Sequence, residues 1–293
     1  MQDHFGEIVE LAARCLAVDG GLPQMADPEF LRPRWVTPQT TAIRDGAGRL
    51  VGAGAVRAGG RVTGLVDPSA RGRGLGARLL DWGLDRADTV ETEALTPPAE
   101  ALFASRGLHQ SFAEEVMRID VRPPDGPPDG PPDGPPGGDG AEVAAVSAGL
   151  DVVGWSTETA PRFHAVYDAA FRDRPGFPGW TAAEWIEGLV EDGVRPEWSM
   201  LATLPGIGDA GFITGIAADA GSAAPDGWVD QVGVVPAARR RGLACALITA
   251  ALARMSADGA SHAWLTVNVN NPAASLYRRL GFVSRGRRAR FQR

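Results

Sequence analysis

The stretch Arg239-Arg240-Arg241-Gly242-Leu243-Ala244 decides the fold. Ahead of it runs Trp228-Val-Asp-Gln-Val-Gly-Val-Val-Pro236, rich in valine and closed by a proline. Behind it runs Cys245-Ala-Leu-Ile-Thr-Ala-Ala-Leu-Ala-Arg254, apolar at helical spacing. The pattern predicts a strand, a tight turn and a helix. The first N–H groups of a helix lack intrahelical partners, and the helix dipole adds partial positive charge there, so this turn is predicted to hold an anion. Gly242 lets a ligand approach the backbone, and small Ala244 keeps the helix start open. Any strand–loop–helix shares part of this pattern, so the turn alone names no chemistry.

A second block narrows the choice. Ala263-Trp-Leu-Thr-Val-Asn-Val-Asn-Asn271 reads as another strand, Pro272 opens a helix carrying Ala273, Leu276 and Tyr277, and Gly281-Phe282 ends it. The run N-P-A-A-S-L-Y-R-R-L-G-F, placed after an R-x-x-G-x-A turn, resembles the GNAT N-acetyltransferase superfamily. The resemblance implies that Arg239, Arg240, Arg241, Gly242, Leu243 and Ala244 hold the pyrophosphate of acetyl-CoA. It implies that Val232, Gly233 and Val234 offer backbone groups to pantetheine, one N–H also polarising the thioester carbonyl. Asn271 then contacts the pantetheine arm, and Tyr277 protonates the departing thiolate. A phenol pKa of about 10 is close enough to that of a thiol for this task. Asp230 alternates in phase with Val232 and Val234 and fits the position of a general base, acting directly or through water. Structural readings stand beside these: a helix N-cap for Asn271, a packed helix face for Tyr277, a strand-edge aspartate for Asp230. Asp173 and Glu184, near the loop Phe171–Trp180, are further carboxylates placed to reach an acceptor, and Trp180 is placed to line its pocket.

Composition sets bounds. A chain of 293 residues with 44% hydrophobic and 22% charged residues is ordinary for a soluble protein of about two domains. All 29 basic residues are arginine, which points to a high-GC coding bias rather than to a mechanism. A net charge of −7 argues against a nucleic-acid partner. The acid excess falls before residue 141; beyond it 15 arginines balance 15 acids, a less repulsive home for a polyanionic ligand. No apolar run is long enough to span a bilayer and no signal-peptide pattern is present, so a cytoplasmic location is expected. Cys15 and Cys245 lie on separate helix-like segments and read as packing residues, with no metal expected.

Residues 123–136 read PPDGPPDGPPDGPP, an extended spacer that cannot form a core. The halves on either side repeat each other. Val66-Asp-Pro-Ser-Ala-Arg71-Gly-Arg-Gly-Leu-Gly76 parallels Val234-Val-Pro-Ala-Ala-Arg239-Arg-Arg-Gly-Leu-Ala244, and Pro98 to Leu108 parallels Pro272 to Phe282. The expected plan is two tandem GNAT-like lobes, each an α/β (α+β) fold with a twisted mixed β-sheet flanked by helices: residues 1–121, a linker at 122–140, and 141–293. The first lobe keeps the turn Arg71, Gly72, Arg73, Gly74, Leu75, Gly76 and with it a capacity for CoA. It has Val62, Pro97 and Phe103 where the second has Asp230, Asn271 and Tyr277, so the second lobe is expected to be catalytic and the first inert.

A complete and a reduced lobe in one chain are similar in plan to the mycothiol synthase family, which acetylates the cysteinyl amine of a pseudodisaccharide thiol precursor. Ala170 to Thr181 also resembles the acceptor loop of that family. The expectation is an N-acetyltransferase moving an acetyl group from acetyl-CoA to a primary amine of a small molecule, by direct attack in a ternary complex. An amino sugar, an amino acid or an antibiotic remains open as acceptor. The rivals are a non-catalytic CoA-binding or regulatory protein and an aminoacyl-transferase of GNAT-like fold.

Overall fold

The computed structural model describes residues 4–37, 39–121, 151–174, 176–218 and 225–293. The Pro-Asp-Gly repeat lies outside the described residues. Two compact units are present. The first comprises 1–117, 266–274 and 283–293; the second comprises 118–265 and 275–282.

The first unit opens with α1 (Phe5–Asp19) and α2 (Pro28–Trp35). Asp27 caps α2, accepting from Glu29 N at 2.8 Å, and Pro28 occupies the first helical position, where no N–H is needed. Strands β1 (Gln39–Arg44), β2 (Leu50–Arg57) and β3 (Arg61–Val66) form an antiparallel meander. Helix α3 (Leu75–Leu84), β4 (Thr89–Thr92), α4 (Pro97–Ser105) and β5 (His109–Asp120) follow. β2 is apolar along its length because both faces are covered. Leu11, Cys15, Leu31 and Trp35 pack with Ala53 and Ala55 on one side. Leu80, Leu84 and Phe103 pack with Val56, Val62 and Val90 on the other.

The second unit contains β6 (Asp151–Gly154), α5 (Ala160–Phe171), α6 (Ala182–Glu191), β7 (Met200–Leu204), β8 (Gly208–Ala217), β9 (Gly227–Val234), α7 (Leu243–Ala257), β10 (His262–Asn268) and α8 (Ala274–Arg279). The last residues of β10 and Ala274 fall in the first unit, and the last three residues of β5 in the second. Its sheet runs β6-β7-β8-β9-β10, antiparallel except for the parallel pair β9–β10. An aromatic layer of Trp155, Phe163, Tyr167, Phe171 and Trp185 joins α5 and α6 to Phe212 on one face. α7 covers the other, its Leu243 and Leu247 so close to Gly211 that a Cβ there would lie 3.0 and 3.2 Å from them.

This is the mixed-sheet α/β architecture that the alternation of elements implied. One strand falls elsewhere than expected. β11 (Val283–Gln292), assigned from sequence to the second lobe, belongs to the first unit. It runs antiparallel to β4 with Ala289 opposite Thr92 and Phe291 opposite Val90, and both residues are buried in that unit's core. Chain order cannot reveal which strand β11 pairs with, because its alternating pattern suits more than one neighbour.

Candidate active site

The two glycine turns are built alike. In the second unit Gly242 precedes α7 with φ 73° and ψ −3°; in the first Gly74 precedes α3 with φ 77° and ψ 2°. Neither helix has a side chain capping its start. The first intrahelical bonds are donated by Ala246 to Gly242 O and by Arg78 to Gly74 O, so the N–H groups of Leu243, Ala244 and Cys245, and of Leu75, Gly76 and Ala77, precede the helical ladder. A bare positive helix end of this kind suits phosphate oxygens. Two residues upstream the backbone is left-handed again, at Gly72 (φ 75°) and at Arg240 (φ 62°). Arg240 is the one non-glycine residue with positive φ among those described. A side chain held in that region costs energy and tends to mark a functional position.

The arginines divide into two kinds. Arg239 Nε donates to Val234 O at 3.2 Å and its Nη2 to Ala170 O at 2.9 Å. Arg71 Nε donates to Val66 O at 3.2 Å, while its terminal nitrogens bind Asp19 at 2.7 and 2.6 Å. These guanidiniums, read from sequence as phosphate ligands, brace the turn against its own unit. Arg240 and Arg241 are exposed, and nothing among the described residues ties them back.

β9 supplies the second feature. It keeps β8 on one side along its length, but its parallel pairing to β10 is confined to Gly227 and Trp228. From Asp230 to Val234 that edge has no strand partner among the described residues, leaving backbone groups of Val232, Gly233 and Val234 available to an extended ligand. Gly233 allows no side chain: a Cβ would lie 2.6 Å from Phe212 and 3.0 Å from Ala170.

Asp230 sits at a break in the ladder. Thr214 pairs with Gln231 and Gly215 with Val229, so Asp230 is the extra residue of a β-bulge. The simple alternation expected from sequence is interrupted there, and the bulge re-aims the side chain. Thr214 Oγ1 donates to Asp230 Oδ2 at 3.2 Å. Ser199 Oγ accepts from Gly215 N at 3.1 Å, satisfying an amide beside the irregularity. Burial dominates the carboxyl and pushes it up to about 6; hydrogen bonds from Thr214 and Gln231 oppose this, and the Asp192 carboxylate adds to it. An aspartate poised there can exchange a proton near neutrality.

Tyr277, in the second unit, is buried with its ring edge-on to Phe282 at 5.9 Å between centroids. Burial raises its phenol above the ordinary value, and the Arg174 guanidinium partly counters this. Asn271 falls in the first unit. Its side-chain oxygen accepts from Ala273 N at 3.0 Å, closing the turn that leads into α8, and its amide N–H groups remain as donors.

The model of the Acetyltransferase (GNAT) family matches residues 209–282, spanning β8, the bulge, the turn and Tyr277. A mycothiol acetyltransferase of Stackebrandtia nassauensis is 31% identical over 256 residues, with 82% of this chain and 78% of that protein covered. The chain belongs to the GNAT acetyltransferases. A mycothiol acetyltransferase of Clavibacter michiganensis is 29% identical, covering 94% of this chain and 87% of its own. The crystal structure of a GCN5-related N-acetyltransferase from Sphaerobacter thermophilus shares the fold at TM-score 0.68 and 23% identity, with 100% and 93% of the two chains covered. This protein is an acyl-CoA-dependent N-acetyltransferase.

Around the acetyltransferase's α5–α6 loop, the residues expected to face an acceptor separate as follows. Glu184 closes a capping box, accepting from Thr181 N at 2.8 Å and Thr181 Oγ1 at 2.7 Å, so its carboxylate serves the start of α6. Trp180 remains half exposed and lies parallel to Tyr167, at 6.5 Å between ring centroids. Trp185, one tryptophan among eight in the sequence, donates its Nε1 to Gln231 Oε1 at 3.2 Å and so ties α6 to the strand beside Asp230. Thr214 belongs to no motif; a lone hydroxyl inside the apolar run Phe212-Ile-Thr-Gly-Ile216 is its one signal in the sequence.

In the first unit the matching hairpin is regular from Gly52↔Val66 to Arg57↔Arg61, with no bulge. Val62 is buried against Gly83 of α3, where a Cβ would clash with it at 2.3 Å. Phe103 packs on Phe291 at 5.0 Å. β3 and β4 pair only at Arg61–Thr89 and Val62–Val90. Beyond them a cavity of about 370 Å³ extends past Thr63 and Val66 to Gly72, Gly74 and Gly76. No group of metal-ligating side chains and no helix long and apolar enough to cross a membrane occurs among the described residues.

Proposed function

We propose that the second unit transfers an acetyl group from acetyl-CoA to the primary amine of a small molecule, by direct attack within a ternary complex. The observation that carries this reading is the bulged, buried Asp230 on the strand whose unpaired edge leads into the uncapped start of α7. Asp230 takes a proton from the acceptor ammonium, directly or through water, and the freed amine attacks the thioester carbonyl. A β9 backbone N–H stabilises the oxyanion, and Tyr277 protonates the leaving thiolate. Arg240, Arg241 and the N–H groups of Leu243 and Ala244 hold the pyrophosphate, with Arg239 fixing the turn. The similarity to mycothiol acetyltransferases favours a cysteinyl amine carried on a sugar as the acceptor. The test is release of free thiol from acetyl-CoA with cysteinyl-glucosamine, glucosamine, cysteine and other amino acids. No release above the acceptor-free rate with any of them would overturn the reading.

For the first unit we propose a CoA-holding role without turnover. Its turn repeats the backbone of the working one and opens into the cavity, while Val62 and Phe103 can neither take nor give a proton. Calorimetry with CoA on the Gly242→Glu variant tests this: one remaining site supports it, none opposes it.

A further inference from the structure

We propose that Thr214 is a positioning residue for acetyl transfer: across the β8–β9 bulge its hydroxyl holds the Asp230 carboxylate in the orientation that takes the acceptor's proton. The inference rests on Asp230 being the base.

Three observations support it. The first is geometric. The bulge leaves Asp230 without a ladder partner of its own, so the backbone alone does not fix the side chain, and Thr214 Oγ1 holds Oδ2 from the neighbouring strand at 3.2 Å. The second is burial. Thr214 is 0% exposed, and its hydroxyl donates to Asp230.

The third observation comes from the repeat. Superposing Gly52↔Val66 on Gly211↔Val234 places Ala55 where Thr214 stands and Val62 where Asp230 stands. Ala55 and Val62 are buried, at 0% and 3% exposure, in a hairpin without a bulge. Hydroxyl, carboxylate and bulge are thus all present in one unit and all missing from the other. A hydroxyl serving only the fold of β8 would have no reason to vanish with the acid. Removing both partners of a buried hydrogen bond together leaves no polar group stranded, which is why they change as a pair.

During the reaction an N–H bond of the acceptor ammonium breaks, leaving its electron pair on nitrogen, and an O–H bond forms on the carboxylate, while the Thr214 proton stays on its own oxygen. The hydroxyl acts only by orientation and by favouring the charged carboxylate. Around Asp230, Gln231 on the same strand also donates to it, and Asp192 at the end of α6 disfavours its charge. No arginine pairs with Asp230 among the described residues.

The experiment compares Thr214→Val, Thr214→Ser and Asp230→Asn in the full chain. Acetyl-CoA and the fastest amine among the acceptors named for the thiol-release test give kcat/KM against pH, and carbon NMR follows the Asp230 carboxyl. Loss of the donor disfavours the carboxylate, so in Thr214→Val the acid limb moves to higher pH by about half to one unit. The kcat of that variant falls about tenfold or more, with the KM for acetyl-CoA unchanged. Thr214→Ser restores both. Wild-type kcat and pH profile in Thr214→Val overturn the proposal, as does Thr214→Ser behaving like Thr214→Val. A carboxyl that shifts by NMR without any change in kcat also overturns it. Full activity in Asp230→Asn defeats the base assignment itself, a result distinct from each of these.

Discussion

Above pH 6 the Asp230 carboxylate is charged inside a strand where burial favours its neutral form. Its folded pKa lies above the ordinary aspartate value, so the folded state binds this proton more tightly than the unfolded chain does. Stability from this group is therefore full at low pH and is lost as pH rises from about 4 to 6. Replacing Asp230 by Asn removes the loss. Chemical unfolding at pH 8 should find Asp230→Asn more stable by about 1–3 kcal/mol, and near parity at pH 4, while kcat falls at least a hundredfold. A wild type whose kcat/KM does not decline below pH 6 speaks against the same assignment. Tyr277→Phe should lower kcat by about 10²–10⁴ with little change in acetyl-CoA affinity by calorimetry, since the ring still packs on Phe282 and only the proton is lost. Tyr277 and Asp230 can be singled out from sequence because each lies inside a recognisable run. Thr214 cannot, because its role comes from a register slip that no local pattern announces.

The turns are alike in element geometry more than in the side chains around them. Gly74 and Gly242 share one backbone conformation although the units differ in their acid and phenol positions. Arg240 holds that conformation where glycine does so freely at position 72. Relief of the left-handed backbone gains about 1–2 kcal/mol, and added glycine freedom in the unfolded chain costs about 0.5–1 kcal/mol. Arg240→Gly should thus leave melting temperature unchanged or slightly raised, while weakening acetyl-CoA binding about tenfold through loss of the guanidinium. A destabilised Arg240→Gly protein would mean the side chain serves packing instead. Gly242→Glu, placing a strained and charged side chain at the uncapped helix start, should abolish turnover, and Gly74→Glu should leave most of it. The reverse pattern would assign the working turn to the first unit. The elements themselves are legible from period and punctuation, as with the valine run before Pro236 or Pro97 at the opening of α4. Their arginines are not: charge and spacing treat Arg239 and Arg240 alike, and only the folded chain shows one bonded to Val234 and Ala170.

At the scale of the molecule, the repeat in the sequence predicts two lobes, and the two compact units exchange chain in a way the repeat does not reveal. Ala289 and Phe291 complete a core whose other members, such as Leu80 and Phe103, come from the beginning of the chain. Phe291→Ala should cost about 3–5 kcal/mol, and hydrogen exchange should report the loss at β4, far away in sequence. Truncation after Phe282 should remove protection from Thr89–Thr92 altogether; protection that survives would show that the first unit folds without its last strand.

That arrangement also sets a timetable for synthesis. At about 5–20 residues per second, the ribosome finishes the first hundred residues well before it makes the strand that lies beside them. Until β11 is made, β4 presents an open hydrogen-bonding edge with Val90 and Phe103 uncovered, the kind of surface that invites pairing with another chain. The unit begun first therefore waits on a strand made much later, and in that interval a nascent chain of this protein is most exposed to mispairing, or to capture by a chaperone, in its oldest part.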